Sequence, residues 1–223
     1  MTTTNIGELS DSPLPHRKKG RPLSFDRERA LRQAMLLFWQ HGYESTSLND
    51  LTSALGVTPS SIYTVFKDKK SLFLESVVLY TSGSVTTTSI IEQAPTAYDA
   101  AMGLLQASAI GFTGADTPAG CLLATSVISC SNAAADVQRK IADIRLGIEA
   151  QLLEKIQQSV SLGHLPATAD ADALAAHTMA VIQGLSTLAR DGAKRDKLQK
   201  VAETAMWPGQ KICKIITNLL LII

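Results

Sequence analysis

The 223 residues allow one or two domains with a proper core, and a hydrophobic content of 45% excludes a disordered chain. The formal charge of +1 says nothing about partners on its own, but its distribution does, because His16 to Pro22 holds four basic residues and no acid. Three cysteines (Cys121, Cys130 and Cys213) without framework spacing argue against a disulfide-stapled secreted domain. With no secretory leader and no run near the ~20 apolar residues of a membrane helix, the expectation is a cytoplasmic, soluble protein.

Residues 1–22 read as a disordered leader and a basic arm, Arg17, Lys18, Lys19 and Arg21 supplying the charge. A first helix is expected from Phe25 to His41. Ser24 or Asp26 caps it, Ala30, Leu31, Ala34, Met35 and Phe38 form its apolar stripe, and Gly42 ends it. Ser47 opens a second helix with Asp50 three residues on, an acidic version of the capping box, and Gly56 stops it. Thr58 caps a third helix with Pro59 at its first position, where a missing N–H costs nothing. Asp68 caps a fourth. Ala and Leu dominate beyond this point, and helices are expected at Pro95 to Ile110, Ala119 to Cys130, Asp136 to Val160, Asp170 to Arg190 and Asp196 to Trp207. No strand is convincing, so the fold class is all-α.

Three short helices with a glycine between the second and third make a helix-turn-helix, whose second member enters the major groove by its N-terminal end. Here that end is Thr58-Pro59-Ser60-Ser61, with Tyr63 and Thr64 one turn on. Lys67 and Lys69 follow, placed to neutralise phosphates. The arm can track the adjacent minor groove, where narrow A·T stretches attract arginine. A glycine-linked helix pair is by itself often only an αα-hairpin; the arm and the order of caps tip the reading toward DNA.

Several segments resemble the N-terminal signature of the TetR (tetracycline-repressor) family in order and spacing. They are Lys19-Gly20-Arg21-Pro22; Leu36-Leu37-Phe38 with His41-Gly42-Tyr43 and Thr46-Ser47-Leu48; Leu51 to Val57; and Ser60 to Lys69. The resemblance implies a homodimer that holds a palindromic operator, usually as a repressor, and lets go when a small ligand binds the C-terminal domain. It also implies DNA contacts at Ser47, Thr58, Ser60, Ser61, Tyr63, Thr64 and Lys69. Two positions depart from the family pattern: Thr64 stands where many members carry His or an aromatic, and Lys70 replaces a common acidic residue.

The expected organisation is therefore a DNA-binding domain over residues 23–80 and a ligand-binding and dimerisation domain over 81–208. Residues 209–223 form an atypical tail. That tail could extend the last helix, pack on a neighbour, or be a reading-frame artefact; Trp207-Pro208-Gly209 reads as the natural stop, which favours the artefact. Leu174, Thr178, Val181, Leu185 and Leu188 follow the 4-3-4-3 spacing of a closely packed helix seam, and Leu198, Val201, Ala202 and Ala205 give the next helix a similar face. Two such helices per subunit would make a four-helix dimer interface. Met102, Leu105, Ile110, Phe112, Cys121, Thr125, Ile128, Ile144, Ile148 and Met179 are candidates to line an effector pocket, suited to a modest, fairly hydrophobic ligand. Plain core is the competing reading for each.

Gly120-Cys121-Leu122-Leu123 resembles a segment of one branch of the family. A thiol at a helix start is expected to have a lowered pKa, which would suit a sensor of oxidants, electrophiles or metal. A buried small hydrophobe, which free cysteine often is, is the favoured reading. Helical spacing turns Cys121 and Cys130 to opposite faces, and no histidine has ligand spacing to them, so no metal site and no cofactor are expected. An enzyme finds no support: there is no phosphate loop, no paired His and carboxylate cluster, and no nucleophile elbow. A purely architectural DNA binder is the third possibility, and the long apolar second half speaks against it.

Overall fold

A computed structural model describes residues 26–83, 85–128 and 131–206, and the basic arm, Cys130 and the tail from Trp207 onward lie outside the described residues. Among the described residues, ten α-helices follow in chain order: α1 Arg27–His41, α2 Leu48–Leu55, α3 Pro59–Phe66, α4 Lys69–Thr81, α5 Thr87–Gln93, α6 Ala97–Gly111, α7 Leu122–Thr125, α8 Ala135–Ser161, α9 Ala171–Arg190 and α10 Arg195–Ala205. The described residues contain no strand.

The helix starts follow the caps. The side chains of Asp26, Ser47, Thr58 and Asp68 each accept a hydrogen bond from the backbone N–H three residues on, satisfying a donor that has no partner within its helix. At Ser47 the box is reciprocal, because Asp50 also accepts from the Ser47 backbone N–H. Gly56 then adopts the left-handed conformation that reverses the chain between α2 and α3.

Two aromatic contacts tie α1 and the turn after it to α4 within the first four helices. Phe38 of α1 meets Phe73 of α4 edge-on at 5.1 Å between ring centroids, and Tyr43 leans on Phe73 at 4.9 Å. Leu51, Ile62, Phe66 and Leu72 fill the space between them, all buried. α4 runs on from this unit to meet α7, while α6, α8, α9 and α10 pack on one another as a bundle.

The structure differs from the sequence expectation in three elements. α5 lies in a stretch, before Pro95, to which the sequence assigns no helix. Its Thr87-Thr88-Ser89-Ile90-Ile91 run is a poor helix former, but a Thr86–Ser89 capping box starts it and packing against α6 and α8 holds it. The helix expected from Ala119 to Cys130 shrinks to Leu122–Thr125. It starts late because Gly120 is held at a positive φ of 84°, and just beyond its end the Ser126 carbonyl is taken by the Tyr43 N–H.

The third correction concerns the α9 and α10 seam. Thr178, Leu185, Leu198 and Ala202 are buried within the chain itself, Leu185, Leu198 and Ala202 completely. Their periodicity is satisfied inside the chain, where α9 packs on α6, α8 and α10. Leu174, Val181, Leu188, Val201 and Ala205 keep exposed area. The fully solvent-facing side of α9 carries Ala173, Ala176, Ala180 and Gly184 instead.

Candidate nucleic-acid interface

α3 presents two unlike faces. Ile62 and Phe66 are buried, while Pro59, Ser60, Tyr63, Thr64 and Lys67 are exposed at helical spacing. Tyr63 is 50% exposed, so it projects from the helix and is no core residue. At the N-terminal end the hydroxyls converge: Thr58 Oγ1 lies 2.8 Å from Ser60 Oγ and 3.0 Å from Ser61 Oγ. Because Pro59 contributes no N–H and Thr58 caps the Ser61 N–H, this end is a compact set of rotatable donors and acceptors under the positive end of the helix dipole. Thr64 donates its hydroxyl to the Ser60 carbonyl at 2.8 Å, which holds it against the helix. Ser47, the cap of α2, is also exposed.

Lysines frame this face. Lys67 ends α3 at a φ of 74°, its N–H donating to the Tyr63 carbonyl. Lys69 is half-buried; its ammonium lies 4.6 Å from the centre of the Tyr43 ring and donates to the Glu44 carbonyl at 3.4 Å. The aromatic face attracts the cation and fixes where it sits. Lys70 points elsewhere, forming an ion pair with Asp136 at the start of α8. Arg27 steadies the unit from behind, its guanidinium 5.0 Å from the centre of the Phe66 ring and paired with Glu75.

The sequence reading missed the junction between this unit and the helices that follow. The Trp39 indole donates to the Gly120 carbonyl at 3.0 Å, and the Tyr43 N–H donates to the Ser126 carbonyl at 2.8 Å. Ser131 donates its hydroxyl to Glu44 at 2.6 Å, and Arg190 reaches the end of α1 from α9. These bonds join residues far apart in the chain, so no local pattern could announce them.

The candidate effector residues do not share one environment. Leu105, Phe112, Cys121 and Met179 are buried in the packed interior; Met102, Thr125, Ile144 and Ile148 are half-buried; Ile110 and Ile128 are exposed, Ile128 by 68%. Two open clefts, of about 550 and 570 Å³, have other linings. One is bounded by Leu36, Gln40, the 115–119 loop and Arg190, the other by the turn between α9 and α10.

The expected lowering of the Cys121 pKa is overturned. Burial pushes the thiol up, and this outweighs the lowering by the Tyr80 hydroxyl, which donates to Cys121 Sγ at 3.4 Å, and by nearby N–H groups. The helix behind it has four residues, too few for an appreciable dipole.

This geometry can be set beside known proteins. Residues 30–76 match the model of bacterial regulatory proteins of the tetR family, and residues 103–205 match a tetracyclin repressor-like C-terminal domain. The chain belongs to the TetR family. It is 34% identical over 196 residues to the HTH-type transcriptional repressor ComR of Escherichia coli (strain K12), covering 86% of this chain and 93% of that protein. The repressor BdcR of the same organism is 40% identical over 57 residues, 26% of this chain and 29% of its own. Among solved structures, a cysteine mutant of the TetR-family regulator CifR, complexed with a 26-bp operator duplex, aligns with a TM-score of 0.78. It is 31% identical, with 84% of this chain and 98% of that chain covered.

As a TetR-family member the chain is a DNA-binding transcriptional regulator and not an enzyme. Its two-part, all-helical architecture is that of the family. Among the described residues, no helix is long and apolar enough to cross a membrane.

Proposed function

We propose that this regulator is a cytoplasmic homodimeric repressor that grips a palindromic operator through α3 and releases it when a small molecule binds the helical domain. The observation that carries the DNA half is the exposed hydroxyl and tyrosine face of α3 beside a lysine whose ammonium is pinned over Tyr43. Tyr63 and the Ser60 and Ser61 hydroxyls reach base edges and phosphates, while Lys69 and Lys67 neutralise phosphates. Thr58 and Pro59 set the approach of the helix end, Ser47 does the same for α2, and Arg17, Lys18, Lys19 and Arg21 follow the minor groove. ComR, which is called a repressor, supports the sign of regulation.

The exposed small residues of α9 support dimerisation there, since Ala173, Ala176, Ala180 and Gly184 let a second helix approach closely. Leu174 and Val181 add apolar area beside them. A non-covalent effector is favoured over covalent capture at Cys121, because the thiol is buried and held in its neutral form. The half-buried Met102, Thr125, Ile144 and Ile148 are the residues through which a pocket can open.

The test starts from duplexes selected by the protein out of a random-sequence pool. The selected sites should be palindromic, with half-sites about 34 Å apart or a multiple. Tyr63→Ala and Lys69→Ala should bind them more weakly while remaining folded. Lys69→Ala should also flatten the plot of log affinity against log salt by about one unit. Wild-type binding by both variants would remove α3 from the interface. A thermal-shift screen then seeks the effector, which stabilises the fold by mass action.

A further inference from the structure

The C-terminal end of α1 is completed by the regulatory helices. The Gly42 N–H closes the last regular turn onto the Phe38 carbonyl at 2.9 Å. In a continuing helix the Tyr43 N–H would serve the Trp39 carbonyl, and the next N–H the Gln40 carbonyl. The Tyr43 N–H instead donates to the Ser126 carbonyl, leaving both α1 carbonyls without their helical donors. Arg190, the last residue of α9, replaces them: Nη1 donates to the Trp39 carbonyl at 3.3 Å and Nη2 to the Gln40 carbonyl at 3.1 Å. Nη1 also donates to Thr125 Oγ1 of α7 at 3.1 Å. The guanidinium thus joins α1, α7 and α9, and its charge lies at the negative end of the α1 dipole.

Two features leave the arginine to these partners. Gly120 leaves the room its stem needs, since a Cβ there would stand 2.8 Å from Arg190 Cγ. The described residues show no carboxylate paired with the guanidinium, whose hydrogen bonds are the three above.

We propose that Arg190 is a positioning residue for operator recognition: without touching DNA, it sets the angle at which α1, and through it α2 and α3, leave the regulatory bundle. The chain of contact is continuous. The α1 terminus leads into Gly42 and Tyr43, the Tyr43 ring packs on Phe73, and the Gly42 carbonyl accepts from Thr46, one residue before the cap of α2. A planar fork with two bonded carbonyls resists rotation of the helix end in a way that a single point charge does not. In a protein that reads two half-sites together, a small rotation of each head misplaces both recognition helices. The proposal rests on the reading of α3 as the operator-binding helix.

The experiment measures the affinity of full-length Arg190→Met, Arg190→Lys and wild type for the selected duplex across a salt series, by fluorescence anisotropy. Circular dichroism and light scattering check fold and assembly. Arg190→Met should bind about tenfold more weakly, the equivalent of ~1.4 kcal/mol. Its slope against log salt should equal that of wild type, because no phosphate contact is lost. Arg190→Lys should recover part of the affinity with the same slope, and it carries the test alone if Arg190→Met does not fold.

Wild-type affinity in the folded variants overturns the proposal, as does a slope flattened by about one unit, which would place Arg190 on the phosphate backbone. Tyr63→Ala in the same assay keeps the two readings apart. If it loses binding while the Arg190 variants do not, only the positioning role fails; if it too binds as wild type, the reading of α3 fails.

Discussion

Gly120→Ala should be among the most damaging single-methyl additions to this fold. Gly120 holds a φ of 84°, and a Cβ placed there would meet Arg190 Cγ at 2.8 Å, the Ser186 carbonyl oxygen at 2.9 Å and Ser186 Oγ at 3.0 Å. The arginine stem can move, but the Ser186 carbonyl is part of the α9 backbone and cannot recede alone. A left-handed backbone costs an L-residue ~1–2 kcal/mol, and forcing an extra methyl into packed surroundings adds ~1–3 kcal/mol. The shift also strains the Trp39 bond to the Gly120 carbonyl and the Cys121 N–H bond to Ser186 Oγ, each worth ~0.5–1.5 kcal/mol. The expected loss is ~3–5 kcal/mol, which for a chain of this size lowers the melting temperature by roughly 10 °C. Gly56→Ala is the control, because Gly56 has a φ of 64° with nothing within 4 Å of the added Cβ, so only the backbone cost of ~1–2 kcal/mol applies. Urea unfolding followed by circular dichroism compares the two. If Gly120→Ala loses no more than Gly56→Ala, the close approach of α9 to the Gly120 backbone is not what the structure depicts.

Assembly separates the two sides of α9. Ala180→Glu, on the exposed side, should yield a folded monomer by light scattering, whereas Leu185→Glu, in the interior, should unfold the chain; a dimeric Ala180→Glu would move the interface elsewhere. Acid should act on the helix-start carboxylates of α2 and α4 and on the Lys70 ion pair. Asp50 is held below the ordinary value of 3.8 by the Ser47 hydroxyl, Asp68 by the Ser71 N–H, and Asp136 by Lys70. Each folded pKa lies below its unfolded one, so the stability they confer is complete above the unfolded value and is lost as pH falls through the folded one. Asp68→Asn keeps the cap without the titration, and its urea midpoint should fall less than that of wild type between about pH 6 and pH 3; superimposable curves would refute this. Cys121 should label slowly with iodoacetamide in the folded protein at neutral pH and fast once urea unfolds it, because burial suppresses the thiolate. Equal rates in the two states would reopen covalent sensing.

The part of the molecule that the sequence exposes best is the part built from local rules. Ser47 with Asp50, Thr58 with Pro59, and Asp68 are short-range signals, and α2, α3 and α4 begin where these residues say. α5 escaped notice because its β-branched residues argue against helix and only its packing on α6 and α8 decides otherwise. Leu185 and Thr178 show a different limit: a repeat reveals that a stripe is covered, not whether this chain or a copy covers it. Cys121 is buried, as the favoured reading of a small hydrophobe has it; only the helix-start argument for a lowered pKa fails, because desolvation overrides it. The α3 residues were legible as a set because their exposed face is defined by one helix. The Arg190 clamp was not, because its partners lie on α1 and α7.

The largest buried cluster does not stop where α4 ends. Phe38, Trp39, Phe73 and Val77 belong to the same apolar body as Leu122, Ile141, Leu185 and Leu198, while Ile91, Ala100, Leu152 and Ile156 gather in a second body around α5, α6 and α8. The seam of cohesion therefore crosses the helical domain and does not follow the boundary drawn by function. For a modular family this matters when heads and sensors are exchanged. A graft cut after α4 would carry off half of a shared interior and leave Trp39 and Tyr80 against foreign surface. A transplantable head has to bring α7 and the last turns of α9 with it, so in cooperative terms the unit that reads DNA is larger than the segment that touches it.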